Sequence, residues 1–166
     1  MKKIFYKDIE CIFFDFDGVL TDNYVYLDSN NRELVRCSRS DGLAFNAMRK
    51  IGIESFIISS EKNSVVKARA NKLKVKYFNN VKDKKNKIMH IVNKYKYDIK
   101  KCIFVGNDLN DYSAMELCGL SMCPADSHKK ILNLSTIVLS KNGGEGVARE
   151  IVEDVLKLDL LKILAN

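Results

Sequence analysis

The sequence predicts a doubly wound, Rossmann-like α/β fold: a parallel sheet with helices on both faces and a projecting β-hairpin. Three observations predict it: short continuous apolar runs that end in small or acidic residues, amphipathic helical stretches between them, and one pair of β-like runs around a turn. Strands buried on both faces read as continuous apolar runs. Ligands of such a sheet bind at the carboxyl ends of its strands. We therefore expect one domain over residues 1–166 with its site at that edge.

The elements can be assigned in chain order. Three apolar runs predict core strands: Cys11–Asp15, Ser55–Ser59 and Lys101–Val105. Five amphipathic stretches predict helices between and after them: 41–51, 63–73, 82–95, 110–117 and 147–164. Tyr24–Leu27 and Glu33–Cys37 flank the turn-forming residues Asp28–Asn31, so a hairpin over about 22–38 should follow the first strand.

Composition excludes several classes of protein. The chain is 46% hydrophobic and 30% charged with one proline, which argues against disorder. Its apolar runs fall short of the ~20 residues of a membrane span, so we expect a cytoplasmic protein. The net charge of +7 is scattered, and its densest patch, Lys82–Lys87, contains no aromatic residue. We therefore expect small anionic metabolites, rather than nucleic acid or membrane, as partners.

The first core run ends in the sequence Asp15-Phe-Asp17-Gly-Val-Leu-Thr-Asp22. Carboxylates two residues apart at a strand end project to the same side, and such a pair is costly unless a cation or a proton is shared. The whole stretch resembles the first motif of the haloacid dehalogenase superfamily of phosphotransferases. That resemblance implies that Asp15 is the nucleophile, and that Asp17 is the general acid and base and also binds Mg²⁺ through its backbone carbonyl.

The other superfamily motifs occur in order. Ser59 ends the second core run, Lys84 lies before or on a later helix, and Gly106-Asn-Asp-Leu-Asn-Asp111 follows the third run. The resemblance implies that Ser59 and the neighbouring Ser60 hold phosphate oxygens and that Lys84 neutralises charge. Asp111 would orient Lys84. These roles suit a phosphate monoester, whose charge repels an anionic nucleophile until cations and fixed donors surround it.

One position departs from the superfamily pattern. The metal-binding acid expected directly after Gly106 is replaced by Asn107. Its amide oxygen can still bind a hard cation such as Mg²⁺, but without charge, so we expect weaker metal binding. The adjacent Asp108 is a second candidate ligand. A degenerate, inactive site is the alternative that this replacement raises.

The spacing of the motifs leaves no room for a cap domain, because 44 residues separate Asp15 from Ser59 and 25 separate Ser59 from Lys84. The chain resembles the capless phosphatases of the 3-deoxy-octulosonate 8-phosphate type, over nearly its whole length. These are tetramers whose hairpins meet at the centre and whose tails reach neighbouring sites. The resemblance implies a homotetramer and a set of substrate-binding or supporting residues: Ser40, Asp41, Glu61, Arg69, Lys72, Gly143 and Gly144.

The identity of the substrate rests on one residue. Octulosonate phosphatases tend to have Arg two positions after the motif Ser or Thr, whereas phosphatases of nine-carbon, sialic acid-type ulosonate 9-phosphates have Glu. Here it is Glu61. The resemblance therefore favours a nine-carbon sugar-acid phosphate, with the eight-carbon acid as the other possibility. A rival from another class is a non-catalytic oligomerisation domain like those fused to sialic acid cytidylyltransferases.

Overall fold

The computed structural model describes residues 4–62 and 64–165. The strands are β1 (Cys11–Phe14), β2 (Thr21–Leu27), β3 (Glu33–Cys37), β4 (Glu54–Ile58), β5 (Lys76–Phe78), β6 (Cys102–Val105), β7 (Leu120–Cys123) and β8 (Ile137–Val138). The helices are α1 (Ser40–Lys50), α2 (Ser64–Leu73), α3 (Lys84–Tyr95), α4 (Tyr112–Leu117), α5 (Lys129–Leu134), α6 (Val147–Glu150) and α7 (Leu160–Ala165). Six strands form a parallel sheet in the order β5-β4-β1-β6-β7-β8. The predicted fold class is confirmed.

The sheet is covered on both faces. Every residue of the central strands β1 and β6 is buried, and alternate side chains enter two separate apolar clusters. Phe14 packs edge-on against Phe45 of α1, on the face that also carries α2, α6 and α7. Phe13 stacks on Phe56 on the opposite face, beneath α3, α4 and α5. Burial on both sides explains the continuous apolar runs in the sequence.

The hairpin consists of the antiparallel pair β2–β3, with Val25 opposite Val35 and Tyr26 opposite Leu34. The register shifts between Thr21 and Val25. Several of its large apolar side chains are exposed: Tyr24, Val25, Tyr26, Leu27 and Leu34. The hairpin is confirmed, and it presents more apolar surface than a single chain covers.

The predicted helix 147–164 is wrong as one continuous element. α6 continues as a π-helical segment, Ile151–Val155, and then stops, with Lys157 in the left-handed conformation at φ 53°. The next helix, α7, begins after Asp159, whose carboxylate caps it by accepting a hydrogen bond from Lys162 N at 3.2 Å. Asn63, where a second predicted helix begins, lies outside the described residues.

Other elements differ in smaller ways. The strands β5, β7 and β8 and the helix α5 were not assigned from the sequence, because elements of two to six residues leave little periodicity to detect. α3 begins at Lys84 because Asp83 caps it by accepting from Asn86 N at 2.9 Å. Among the residues of the model, no helix has the length and apolar character that crossing a membrane would require.

Candidate active site

The predicted motif residues meet at the carboxyl edge of the sheet. β1 lies between β4 and β6, and its last residue, Phe14, pairs with Ile57 and Val105. The segments that follow these three strands therefore emerge side by side. They surround a cavity of about 410 Å³, lined by Asp15, Asp17, Asn23, Ser59, Ser60, Glu61, Asn107, Asp108, Leu109 and Asn110.

A buried charge cluster lies beneath this cavity. Lys84 Nζ lies 2.7 Å from Asp15 Oδ1 and 2.6 Å from Asp111 Oδ1. All three side chains are almost fully buried. Two carboxylates around one ammonium leave a net negative charge away from solvent, which is unfavourable unless a further cation or proton is present.

The pKa values reflect this excess of negative charge. Burial raises the pKa of Asp15 to about 8, and the nearby Asp111 adds to the rise while Lys84 opposes it. Burial alone would lower the pKa of Lys84, but its two carboxylate neighbours outweigh that effect and raise it. The lysine therefore stays charged, and a cation bound beside Asp15 would favour its ionised, nucleophilic form.

Asp17 lies on a tight turn that follows β1. Phe16 O accepts hydrogen bonds from Leu20 N and Thr21 N, and Thr21 Oγ1 accepts one from Gly18 N at 3.1 Å. Gly18 has φ 80°, and a Cβ there would lie 1.9 Å from the Asn107 side chain, so both conformation and space require glycine. Burial and the neighbouring Glu61 raise the pKa of Asp17 to about 6. A carboxyl that titrates near neutrality suits general acid and base chemistry.

Asn107 offers a free oxygen to the same cavity. Its side chain is buried, and Oδ1 has no hydrogen-bond partner. Its backbone is fixed, because N donates to Asp111 Oδ2 at 2.9 Å and O accepts from His128 N at 2.9 Å. An unpartnered buried oxygen that lines a cavity is suited to bind a cation.

The donor set fits a hard divalent cation such as Mg²⁺. It combines the Asp15 carboxylate, the orphaned Asn107 oxygen and the backbone carbonyl expected from Asp17. Within residues 4–62 and 64–165, no three His, Cys, Asp or Glu side chains form a metal-binding group. Asp108 is exposed, and its carboxylate accepts a hydrogen bond from Leu109 N at 2.7 Å, where it caps a helical turn.

The segment after β4 forms the opposite wall. Ser59 is buried; its N donates to Phe78 O and its carbonyl accepts from Val81 N, so its hydroxyl is held at the cavity. That hydroxyl accepts a hydrogen bond from Glu61 N at 3.1 Å. Ser60 Oγ accepts from Asn110 Nδ2 at 3.3 Å, which joins this wall to the loop after β6. Both serines lie where phosphate-binding hydroxyls are expected.

Four of the predicted supporting residues lie away from the cavity. Asp41 is 1% exposed and accepts a hydrogen bond from Arg149 N, and burial raises its pKa to about 6. Ser40 pairs with a neighbouring serine at the base of the hairpin. Arg69 donates to a backbone carbonyl there at 2.6 Å, and Lys72 is exposed on α2. Within a single chain, these side chains do not line the site.

Gly143 and Gly144 are both buried behind the loop that carries Asp17. Gly144 N donates to Val19 O at 3.0 Å, and a Cβ on Gly143 would lie 2.3 Å from Gly18 O. Gly143 N donates to the Asp126 carboxylate at 3.0 Å. Within a single chain, this backbone therefore supports the loop that carries Asp17.

Sequence reasoning missed a second cavity and one of the three described residues that line both cavities. This cavity, of about 280 Å³, lies between the hairpin and α2 and is lined by Phe16, Asp17, Asn23, Val25, Glu33, Val35, Glu61, Val65 and Val66. Asn23 lines both cavities, and its backbone is left-handed, with φ 66°. No sequence signal distinguishes this asparagine from an ordinary turn residue.

A doubly wound sheet whose carboxyl edge carries an aspartate pair, a buried lysine and oxygen atoms that fit a metal ion is the arrangement expected of a phosphate-ester hydrolase. Comparison with known families agrees with this class. The family model of the haloacid dehalogenase-like hydrolases matches residues 54–151, more than half of the chain. The protein belongs to the haloacid dehalogenase-like hydrolases, and the predicted enzyme class, a phosphoric monoester hydrolase, is confirmed.

Individual similar proteins show which members of this family the chain resembles. The chain is 29% identical to the 3-deoxy-D-manno-octulosonate 8-phosphate phosphatase of Escherichia coli K12, over 94% of this chain and 86% of the relative. A haloacid dehalogenase-family hydrolase structure from Streptomyces avermitilis is 34% identical, with a TM-score of 0.91 and coverage of 95% and 97%. The Moraxella catarrhalis octulosonate 8-phosphate phosphatase, solved with magnesium, phosphate and its sugar acid, is 27% identical, with a TM-score of 0.87 and coverage of 92% and 88%. The predicted resemblance to the capless group is confirmed.

Proposed function

We propose that the protein is a Mg²⁺-dependent phosphatase of a phosphorylated 3-deoxy-2-ulosonic acid. The observation that carries the proposal is the Asp15–Lys84–Asp111 cluster beneath a cavity that also holds Asp17 and the unpartnered Asn107 oxygen. This arrangement supplies a nucleophile, a fixed positive charge, an acid and a cation ligand at one place. The named activity of the relatives supports the choice of substrate class.

The chain's own residues account for two chemical steps. Asp15 attacks phosphorus, so a bond forms from its carboxylate oxygen while the ester P–O bond breaks, and Asp17 gives its proton to the departing sugar oxygen. Asp17 then removes a proton from water, which attacks the aspartyl-phosphate and releases phosphate and free Asp15. Lys84 lies 2.7 Å from Asp15 and neutralises charge throughout.

A magnesium ion would be held by Asp15, Asn107 and the Asp17 carbonyl, with Asp108 as an outer candidate. When bound, it supplies positive charge that offsets the phosphate oxygens. Asn107 contributes an uncharged oxygen, so the metal site has one negative charge fewer than it would with aspartate at this position.

Two observations favour different chain lengths for the acid. Octulosonate phosphatases among the relatives favour the eight-carbon substrate. Glu61, which lines both cavities, favours the nine-carbon, sialic acid-type 9-phosphate through the family resemblance. Both cavities lack an Arg or Lys side chain among their described lining residues, so neither offers a cationic side chain to the substrate carboxylate. In the proposed homotetramer, a neighbouring subunit would supply that cation at the exposed hairpin.

The test is phosphate release from a panel of sugar-acid phosphates with Mg²⁺. The panel pairs 3-deoxy-D-manno-octulosonate 8-phosphate with a nine-carbon ulosonate 9-phosphate and includes hexose phosphates as non-acid controls. We expect kcat/KM for one of the two acids to exceed that for hexose phosphates by at least about 100-fold, since such a difference corresponds to two or three good polar contacts. Equal rates on all sugars would overturn the substrate class.

A second candidate is a non-catalytic oligomerisation domain. The uncharged Asn107 and the exposed apolar hairpin favour it. The same panel decides between the two, because a protein that forms tetramers but releases no phosphate from any ester at saturating Mg²⁺ would support this candidate and contradict the enzyme.

A further inference from the structure

We infer that Asn23 is a specificity-determining residue, which hydrogen-bonds a hydroxyl group on the carbons next to the phosphate ester. The inference rests on the proposed phosphatase function and specifies how that site selects its leaving group. It starts from the junction of the two cavities. Only Asp17, Asn23 and Glu61 line both of them among the described residues.

The two cavities would bind different parts of the substrate. The first contains Asp15, Ser59 and Asn107, so it takes the phosphate and the metal. The second, with Val25, Val35, Val65, Val66 and Phe16 among its walls, opens from it between the hairpin and α2. When the phosphate lies in the first cavity and the leaving group in the second, the carbons next to the ester oxygen lie at the junction of the two cavities. Whatever those carbons carry therefore faces Asp17, Asn23 and Glu61.

The chemistry of the junction selects hydroxyl groups. Ionised Glu61 can only accept hydrogen bonds, whereas the Asn23 amide can both donate and accept. A hydroxyl can satisfy both side chains at once by donating to Glu61 and accepting from Asn23. A methylene at the same place would leave these polar groups without partners when the ligand excludes water.

A hydrogen bond to the turn that carries Asp17 holds the backbone of Asn23 in place. Its φ is 66°, and its N donates to Thr21 Oγ1 at 3.3 Å, the same oxygen that accepts from Gly18 N on the Asp17 turn. No hydrogen bond from the Asn23 side chain occurs within residues 4–62 and 64–165, so its amide serves no structural contact there. Asparagine adopts this left-handed conformation more readily than most other non-glycine residues, so the residue type is compatible with this backbone.

The conformation also allows a sharp test. Glycine adopts positive φ without cost, so Asn23→Gly removes the amide while it preserves or raises stability. The matched control is Asn31→Gly, which makes the same change at φ 57° in the exposed turn of the hairpin. Melting temperatures of both variants should equal or exceed that of the wild-type protein.

The probes are glycerol 3-phosphate and n-propyl phosphate, which share a three-carbon chain and differ in their hydroxyl groups. For Asn23→Gly we expect kcat/KM for glycerol 3-phosphate to fall about tenfold, the size of one hydrogen bond, mainly through KM. The value for n-propyl phosphate should change less than about twofold. Asn31→Gly should leave both values unchanged.

Equal losses on both esters, or no loss on either, would overturn the role of Asn23. The failure of the proposed function has a different signature. Wild-type protein that hydrolyses the two small esters but none of the sugar-acid phosphates would contradict the substrate class, while the paired esters would still decide about Asn23. Wild-type protein without activity on any ester would overturn both.

Discussion

The active site buries charged side chains, whereas the hairpin exposes apolar ones, and both arrangements are unusual in a folded protein. Asp15, Lys84 and Asp111 are charged and almost fully buried. Tyr24 and Leu34 are apolar, and they are 73% and 64% exposed. Buried charge is costly without balancing partners, and exposed apolar surface is costly without a cover. Each region is thus unfavourable in the isolated chain, and each points to something bound there: a cation with phosphate in one, a second protein surface in the other.

The strongest test of the buried centre is Asp15→Asn. We expect phosphatase activity to fall at least about 1,000-fold, because an amide cannot act as the attacking carboxylate. The fold should persist, since Lys84 keeps its 2.6 Å contact with Asp111. The measurement is phosphate release together with circular dichroism. Asp154→Asn, an exposed acid on the π-helical segment, is the control. A folded Asp15→Asn protein with substantial turnover would contradict the mechanism.

The substitution Asp17→Asn tests whether Asp17 is the general acid that protonates the leaving group. Loss of proton donation should slow sugar-acid phosphates about 100- to 10,000-fold, because their alkoxide leaving groups are poor. p-Nitrophenyl phosphate, whose leaving group needs no proton, should be slowed much less. Steady-state kinetics on both esters gives the comparison. Similar losses on the two esters would show that Asp17 acts in some other way.

The hairpin is tested by Leu34→Asp, which places a charge on its exposed apolar surface. We expect the proposed tetramer to dissociate, which sedimentation velocity would measure. Turnover of the sugar-acid phosphate should fall about tenfold more than that of p-nitrophenyl phosphate, the size of about one favourable contact from a neighbour. Ser29→Asp adds the same charge in the hairpin turn and should leave assembly intact. Wild-type protein that is a fully active monomer at assay concentration would exclude a shared site.

The smallest expected effect concerns the metal. Asn107→Asp should lower the Mg²⁺ concentration for half-maximal activity by about three- to tenfold, because a charged oxygen replaces a neutral one. Asn110→Asp adds the same charge at the cavity wall outside the proposed metal ligands and should shift this concentration less. An unchanged or higher half-saturation in Asn107→Asp would place residue 107 outside the metal site.

The sequence predicted what is local and periodic. Asp15, Ser59 and Asn107 were identified because they match superfamily motifs that lie at or just after the ends of core strands, and parallel strands bring their carboxyl ends together. Lys84 was found through the family motif, and its position at the start of α3 explains how it reaches Asp15.

Features that depend on distant contacts or unusual backbone were missed. The left-handed conformation of Asn23 leaves no periodic signal, and the break at Lys157 is of the same kind. Arg69 and Gly144 were expected at the site because they match a family, but their side-chain or backbone contacts are made with the hairpin base and the Asp17 loop. Motif matching identifies a residue without showing which surface it faces.

The packing of Gly143 and Gly144 against the Gly18–Asp22 backbone also bears on how the enzyme comes into being. The loop that carries Asp15 and Asp17 is synthesised more than a hundred residues before the segment that supports it. Contacts between such distant segments form late, because a long intervening loop must first be closed. Until residues 143 and 144 have been synthesised, a nascent chain therefore carries Asp15 and Asp17 without the backbone that holds their loop in place.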